Sequence, residues 1–351
     1  MKTILHIVGN RPQFIKLAVL YKELAESNSV LQKIIHTGQH SSIEMSDIFF
    51  KELQLPEPDI NLQINSGRAD SFIAETAIFL QDYFTTTGKA IAFVYGDTNT
   101  TLAAAIATRR TDTPLFHFEG GVRTGDNSMP EEINRILTDR MADVNYCCTS
   151  LNYQTLMAEG YGTAINSRAV LSGDLMYDAF LKISPAEKNI VTEKNYIACT
   201  IHRVNNILLK ENLSAIVEGL NAIHKDVPVI MPVHPHTKKR MEEYGLRPAF
   251  ITINPLGYPE MKTFLANSSY VITDSGGAAR EAFFCQKKSI VVMDKPFWPE
   301  IIAASCSLTC SPDAIQLQKT FSQLPSLKAN FQSPIFGEGN AAKLISQDIL
   351  S

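Results

Sequence analysis

A doubly wound α/β architecture in two units is predicted by three observations. Short apolar runs alternate with helical patterns almost throughout the 351 residues. That rhythm resets once, near "LSGDLMYDAFLKISPAEKN". Hydrophobic residues make up 45% of the chain, enough for each half to bury its own core.

The elements follow in order. "TILHIVG" is a buried strand feeding the helix "PQFIKLAVLYKELAE", and "KIIHTG" is a strand followed later by the helical "DIFFKELQL". "AIAFVYGD" runs into "TTLAAAIATRR", "PLFHFEG" into a charged helical stretch, and "DVNYCCTS" into another helix. After the reset come "YIACTIH", "LKENLSAIVEGLNAIH", "VPVIMPVH", "AFITINP", "EMKTFLANS", "YVITDS", "AAREAFF" and "SIVVMD", a second parallel-sheet unit. The Pro- and Lys-bearing stretch 182–194 reads as the linker, and "NAAKLISQDIL" as an amphipathic closing helix.

Composition narrows the function. Net charge is −4 and no basic cluster stands out, which argues against nucleic acid or an anionic membrane as partner. No apolar run reaches spanning length, and the first strand does not read as a signal peptide. The six cysteines are scattered, and Cys306 and Cys310 have no nearby His or second Cys pair to complete a zinc site. Reduced cytoplasmic thiols and no metal are the expectation.

In open parallel sheets, ligands bind beyond the carboxyl ends of the strands. Those positions hold Asn10, Arg11, Thr37 to His40, Asp97, Glu119, His202, His234 and Asp274 to Gly277. "TDSGGAAREAFF" is a strand end, a Ser-Gly-Gly turn and a helix, whose first N–H groups suit a phosphate; Glu281 is placed to accept from a ribose. A plain Asp or Ser cap is the alternative reading. "GNRPQFIK" is a second strand-to-helix junction, with Pro12 at the helix start and Arg11 and Lys16 available to an anion. The three-glycine dinucleotide fingerprint is absent, so no NAD is expected. No Gly-x-Ser-x-Gly elbow supports a serine nucleophile.

Around residue 130, Ser128 and Glu131 fit a capping box, Glu131 and Arg135 stand four apart as a helix ion pair, and Ile133, Ile136 and Leu137 form a candidate buried stripe. Helix dressing accounts for Glu131 but not for Asp97 or Glu119, which follow their strands directly. Three acids from neighbouring strand ends, opposite His202 of the other unit, suggest proton transfer. The "HR" pair points His202 at a phosphate; His234 is left unassigned.

The chain resembles the non-hydrolysing UDP-N-acetylglucosamine 2-epimerases. "GNRPQFIK", "HTGQH", "VYGDTNTTLA", "HFEGGVRTGD", "MPEEINRILTD", "GDLMYDA", "TIHR", "PVHPHT", "TDSGGAAREA" and "FGEGNAA" carry the resemblance, in order over nearly the whole length. It implies a GT-B-like fold: Rossmann-like domains at 1–172 and 173–339, an interdomain active-site cleft, and a C-terminal helix at about 340–351 crossing back to the first domain. It implies a cytoplasmic homodimer without cofactor, in cell-surface polysaccharide biosynthesis, inverting C2 of a UDP-sugar by anti elimination of UDP and syn re-addition through 2-acetamidoglucal. By the same resemblance Asp97, Glu119 and Glu131 move protons and His202 meets the leaving phosphate. Arg11, Lys16, Arg123, Ser275, Gly276, Gly277 and Glu281 bind substrate, and Gln39 and His40 match a second UDP-sugar site of some relatives. Asn205 and Asn206 stand where the family usually has Glu, Phe297-Trp298 replaces a Thr-Glu-Arg step, and Leu256 and Met261 replace Gln and Phe. "RPQFIK", "MPEEINRILTD", "LGYPEM" and the Trp resemble a branch acting on UDP-2,3-diacetamido-2,3-dideoxy-glucuronate, whereas "RTGD" resembles the ordinary branch. A GT-B glycosyltransferase and a non-catalytic UDP-sugar sensor are the other readings.

Overall fold

The computed structural model describes residues 2–39, 49–64, 66–188 and 190–351. The chain divides into two compact units, Met1–Ile183 with Pro334–Ser351, and Ser184–Ser333.

The first unit is a parallel sheet whose strands are β1 (Lys2–Val8), β2 (Val30–His36), β3 (Ile60–Asn61), β4 (Ile91–Tyr95), β5 (Leu115–Phe118), β6 (Val144–Cys147) and β7 (Arg168–Leu171). Their order is β3-β2-β1-β4-β5-β6-β7. The helices are α1 (Arg11–Ala25), α2 (Ala69–Thr87), α3 (Asn99–Arg109), α4 (Pro130–Met141), α5 (Ser150–Ala158), α6 (Leu175–Lys182) and, from the chain end, the closing helix (Ala341–Leu350). β4 is wholly apolar and β1 is buried from Ile4 to Val8, because both faces of a parallel sheet are covered. Leu5, Ile7, Ile35, Val94 and Leu115 pack with Leu80 and Phe84 of α2 and the alanines of α3. Of the expected helix "DIFFKELQL", Asp47 and Ile48 lie outside the described residues, and 49–52 are helical.

The boundary lies later than the expected 172/173. α6 packs on α1, and its buried Asp178 caps the closing helix by accepting from Ala341 N at 3.0 Å and Ala342 N at 2.8 Å. These bonds hold 173–183 to the first unit. At its far end the closing helix offers Asp348 to Tyr146 Oη at 2.7 Å and to both terminal nitrogens of Arg168 at 2.6 and 2.8 Å.

The second unit repeats the plan. Its strands β8 (Ile197–Thr200), β9 (Val229–Pro232), β10 (Ile251–Ile253), β11 (Tyr270–Thr273), β12 (Ser289–Val291) and β13 (Ser307–Thr309) run in the order β10-β9-β8-β11-β12-β13, all parallel. The helices are α7 (Val204–Leu208), α8 (Lys210–His224), α9 (Pro235–Glu243), α10 (Tyr258–Asn267), α11 (Gly276–Phe284), α12 (Pro299–Ala303) and α13 (Ala314–Gln323). One layer buries Ile216, Leu220 and Ile223 of α8 with Leu317; the opposite layer buries Phe264, Leu265 and Leu256.

Strand order reverses between β1 and β4 in the first sheet, and between β8 and β11 in the second. These switch points are where neighbouring loops part and leave room for a ligand. Among the described residues no helix is long and apolar enough to cross a membrane.

Candidate active site

In the first unit the switch point opens where β1 passes into α1. Asn10 caps α1, its side chain accepting from Gln13 N at 3.3 Å, and Pro12 sits in the first turn, where a missing N–H costs nothing. Gln13 ties β1 to β4. Its Oε1 accepts from Gly9 N at 2.7 Å, and its Nε2 donates to Tyr95 O at 2.8 Å and Thr98 Oγ1 at 3.0 Å. Arg11 lies over the Phe49 ring at 5.2 Å.

Asp97 and Glu119 leave neighbouring strands at this point. The two ends are joined by Gly96 N donating to Phe118 O at 2.8 Å. Lys16, reaching up from α1 with a side chain 4% exposed, forms an ion pair with Glu119. Gly96 has φ +67°, and a Cβ there would lie 2.8 Å from Glu119 Oε2 and 3.5 Å from Lys16 Nζ. Only glycine leaves this room. Glu119 itself has φ +79°, a conformation uncommon for a side chain of its kind.

α4 supplies the rest, with an orientation opposite to the expected one. Ile133 and Leu137 are exposed and Ile136 is half-buried, while Glu132, Asn134, Arg135, Thr138 and Asp139 are buried. The expected apolar stripe is therefore wrong: the helix turns its polar side inward because the strand-end acids and loop amides there supply partners. The expected capping box is absent too. Met129 is the N-cap without a side-chain bond, and Ser128 Oγ donates to Asp126 at 2.6 Å.

Nor does Arg135 pair with Glu131. Its guanidinium forks between Glu132 and Asp97, and Asn134 Nδ2 donates to Asp97 O at 3.0 Å. Glu132 accepts from Thr124 N at 3.0 Å and Gly125 N at 2.8 Å, fixing the loop before α4. Burial opposes ionisation of Glu132, but these amides and Arg135 hold its carboxyl below the usual range. Glu131, one residue earlier, is half-buried, and its side chain makes no hydrogen bond or ion pair among the described residues.

Arg123, expected to touch substrate, is held by two carboxylates and a carbonyl. It donates to Glu159 at 2.9 Å through two nitrogens, and to Asp139 at 2.6 Å and Val122 O at 2.8 Å through Nη1. Gln39 accepts from Thr100 N at 3.2 Å and Thr100 Oγ1 at 2.9 Å; His40 lies outside the described residues.

At the second switch point a fully buried carboxylate, Asp274, organises the turn after β8. It accepts from His202 N at 3.1 Å, Arg203 N at 2.9 Å and Asn206 Nδ2 at 3.1 Å. His202 is thereby held with its imidazole 48% exposed and Nδ1 3.6 Å from Asp274. Arg203 donates to Asp274 O at 2.6 Å and stacks 4.2 Å over the Phe297 ring. Phe297 in turn packs on Gly276, where a Cβ would lie 3.0 Å from the ring.

Ser275 caps α11, its Oγ accepting from Ala278 N at 3.3 Å. The N–H groups of Gly276 and Gly277 have no acceptor among the described residues. The cap is present, and it leaves these two N–H groups available to an acceptor. Trp298 Nε1 donates to Gly276 O at 3.0 Å, and Arg280 lies 4.5 Å over the indole. Glu281 is buried in the second turn. His234 is the N-cap of α9, its Nδ1 accepting from His236 N at 3.3 Å.

Sequence reasoning missed Gln13, Glu132 and the organising role of Asp274. Gln13 carried a weak signal, a polar residue between Pro12 and Phe14 in the first turn of α1. Glu132 was hidden behind Glu131, because helix periodicity assigns the inward side to the aliphatic residues.

Two Rossmann-like parallel-sheet units, each with polar residues at its switch point, put the chain in the GT-B-like class of nucleotide-sugar proteins. The sequence profile of the UDP-N-acetylglucosamine 2-epimerase family matches residues 22–350. A UDP-2,3-diacetamido-2,3-dideoxy-D-glucuronate 2-epimerase of Pseudomonas aeruginosa is 36% identical over 98% of each chain. The UDP-N-acetylglucosamine 2-epimerase of Methanocaldococcus jannaschii is 33% identical over 97% of this chain and 96% of its own. A crystal structure of a Methanocaldococcus jannaschii UDP-GlcNAc 2-epimerase with UDP-GlcNAc and UDP superposes with TM-score 0.92 at 32% identity, covering 100% of this chain and 99% of that one. The Neisseria meningitidis enzyme bound to UDP-GlcNAc gives 0.87 at 26% identity, covering 99% of each. The chain belongs to the UDP-N-acetylglucosamine 2-epimerase family and is an isomerase.

Proposed function

We propose that the chain inverts C2 of UDP-N-acetylglucosamine, reversibly giving UDP-N-acetylmannosamine, by anti elimination of UDP and syn re-addition through 2-acetamidoglucal. The observation that carries this reading is the convergence of Asp97 and Glu119 at one switch point, each carboxylate held by a buried cation. A C2–H beside an acetal is barely acidic. Departure of UDP makes C1 cation-like and lets a carboxylate take the proton. Inversion needs proton donors on both faces of C2, so more than one acid is required. Asp97, Glu119 and half-buried Glu131 fill those roles.

In the second unit the Gly276 and Gly277 N–H groups, the α11 dipole and exposed His202 suit a diphosphate whose charge grows as it leaves. Glu281 is assigned to the ribose, and Arg11 joins Lys16 near the sugar and phosphate. Proton NMR of UDP-N-acetylglucosamine with the protein in deuterated water tests the reading. Loss of the C2 proton signal without any acceptor supports it. An unchanged spectrum sinks it, and free UDP accumulating only with an acceptor favours a glycosyltransferase.

A second reading keeps the chemistry and changes the sugar to UDP-2,3-diacetamido-2,3-dideoxy-glucuronate. It is favoured by the 36% identical Pseudomonas aeruginosa relative and by the Phe297-Trp298 packing on Gly276. Assaying both sugars side by side separates the two. Exposed Ile78 and Phe79 on α2 and Ile133 and Leu137 on α4 support the homodimer that the family resemblance implies, with sedimentation equilibrium as its test.

A further inference from the structure

His117 stands in the middle of β5, fully buried, two residues before Glu119. Its Nε2 lies 2.8 Å from the carbonyl of Gly96, the residue before Asp97. A carbonyl oxygen only accepts, so Nε2 carries a hydrogen. Its Nδ1 lies 2.8 Å from Asp139 Oδ1 and 3.3 Å from Asn145 Oδ1. The Asn145 amide nitrogen donates to Asp139 O and Ser167 Oγ, both at 3.0 Å, which fixes its oxygen towards the ring. Asp139, also fully buried, accepts on Oδ2 from Gly121 N at 3.0 Å and Arg123 Nη1 at 2.6 Å. Those donors suit a carboxylate rather than a carboxyl O–H. Burial works against its charge, and the bonds and charges of His117 and Arg123 outweigh it, holding the group below the usual range.

Among the described residues, each hydrogen-bonding partner of the ring is therefore an acceptor. We infer that His117 is a doubly protonated imidazolium and a positioning residue, clamping the Gly96 carbonyl so that Asp97 and Glu119 keep their places. The clamp is the last member of an alternating row: Glu159 carboxylate, Arg123 guanidinium, Asp139 carboxylate, His117 imidazolium. The row gives Arg123 a structural purpose, as the cation between two carboxylates. Gly96 is where the clamp has leverage, because it precedes Asp97 and abuts the Glu119 carboxylate. The inference rests on the epimerase reading for its consequence, though not for its geometry.

Two isosteric variants divide the ring's contacts. His117→Asn keeps a donor in place of Nδ1 for Asp139 and loses the bond to Gly96. His117→Gln keeps a donor in place of Nε2 for Gly96 and weakens the bond to Asp139. The assay is C2 hydrogen exchange, with UDP affinity by calorimetry and urea unfolding on the same samples. His117→Asn should lose about 100-fold in exchange rate with UDP affinity unchanged, since a misplacement of about 1 Å carries a cost of that size. His117→Gln should stay within about tenfold of the parent. Equal exchange rates in two folded variants overturn the clamp. Nitrogen-15 NMR of the parent, with His117 assigned from its backbone neighbours, supplies an arm that needs no variant. Protons on both ring nitrogens are expected, and a bare nitrogen overturns the inference. A parent protein that exchanges nothing fails the epimerase reading, while the ring spectrum still judges the clamp.

Discussion

Replacing Arg135 by Met removes the guanidinium that joins Asp97 to Glu132. The Arg135 side chain is 2% exposed and Glu132 is 1% exposed, so this half of the fork is a buried ion pair. Stranding one member of such a pair costs about 3–5 kcal/mol. Glu132 keeps the amides of Thr124 and Gly125 and the Thr124 hydroxyl, which places the loss near about 3 kcal/mol. Asp97, 32% exposed, regains water and adds at most about 1 kcal/mol. Urea unfolding followed by far-ultraviolet circular dichroism reads the sum. The single tryptophan, Trp298, lies in the second unit, so its fluorescence follows that unit separately. The dichroism midpoint should fall, and the tryptophan midpoint reports whether the second unit unfolds with the first. Arg135→Lys, with one ammonium in place of a fork, should recover less than half of the loss. C2 exchange should collapse in Arg135→Met, because Asp97 loses its orienting partner. An unchanged dichroism midpoint, or full exchange, would refute the reasoning.

Glu119→Gln should bind UDP and lose C2 exchange by about 10²–10⁴-fold, the usual worth of a general acid or base; full exchange removes Glu119 from the mechanism. Gly96→Ala should lose exchange by a similar factor and about 1–2 kcal/mol of stability, since alanine dislikes φ +67° and its Cβ displaces the Glu119 carboxylate; a crystal structure with Glu119 unmoved would contradict this. Burial, only partly offset by the bond that His6 Nε2 donates to Gln32 Oε1, pushes fully buried His6 down to about 4. The unfolded chain takes up this proton first as pH drops through about 6.5, so the neutral ring's advantage is present at pH 7 and is lost progressively towards pH 4. The cost between pH 7 and 5 is about 2 kcal/mol, and urea unfolding of His6→Gln should show that much less pH dependence than the parent; identical slopes would reject it.

The strands and the acids at their ends were legible because a period-two or continuous apolar run stops abruptly, and Asp97 and Glu119 sit at the stop. The glycine turn after β11 was legible for the same reason. The side of α4 that faces inward was not. Periodicity finds an apolar face and assumes it is buried, yet here the inward side carries Glu132, Arg135 and Asp139, and Ile133 and Leu137 look outward. The partners of Arg123 were not legible, because a sequence shows a charge without showing the two carboxylates folded around it. His117 was passed over because a residue inside a strand reads as filler, although it sits between Phe116 and Phe118.

The left-handed backbone of Glu119 limits how this protein can decay. Mutation to glycine relaxes a torsion worth about 1–2 kcal/mol. It also abandons the Lys16 ammonium in a place 4% exposed, which costs more than the torsion returns. A sturdier but inert descendant is reached only when both residues change together, so each guards the other against drift.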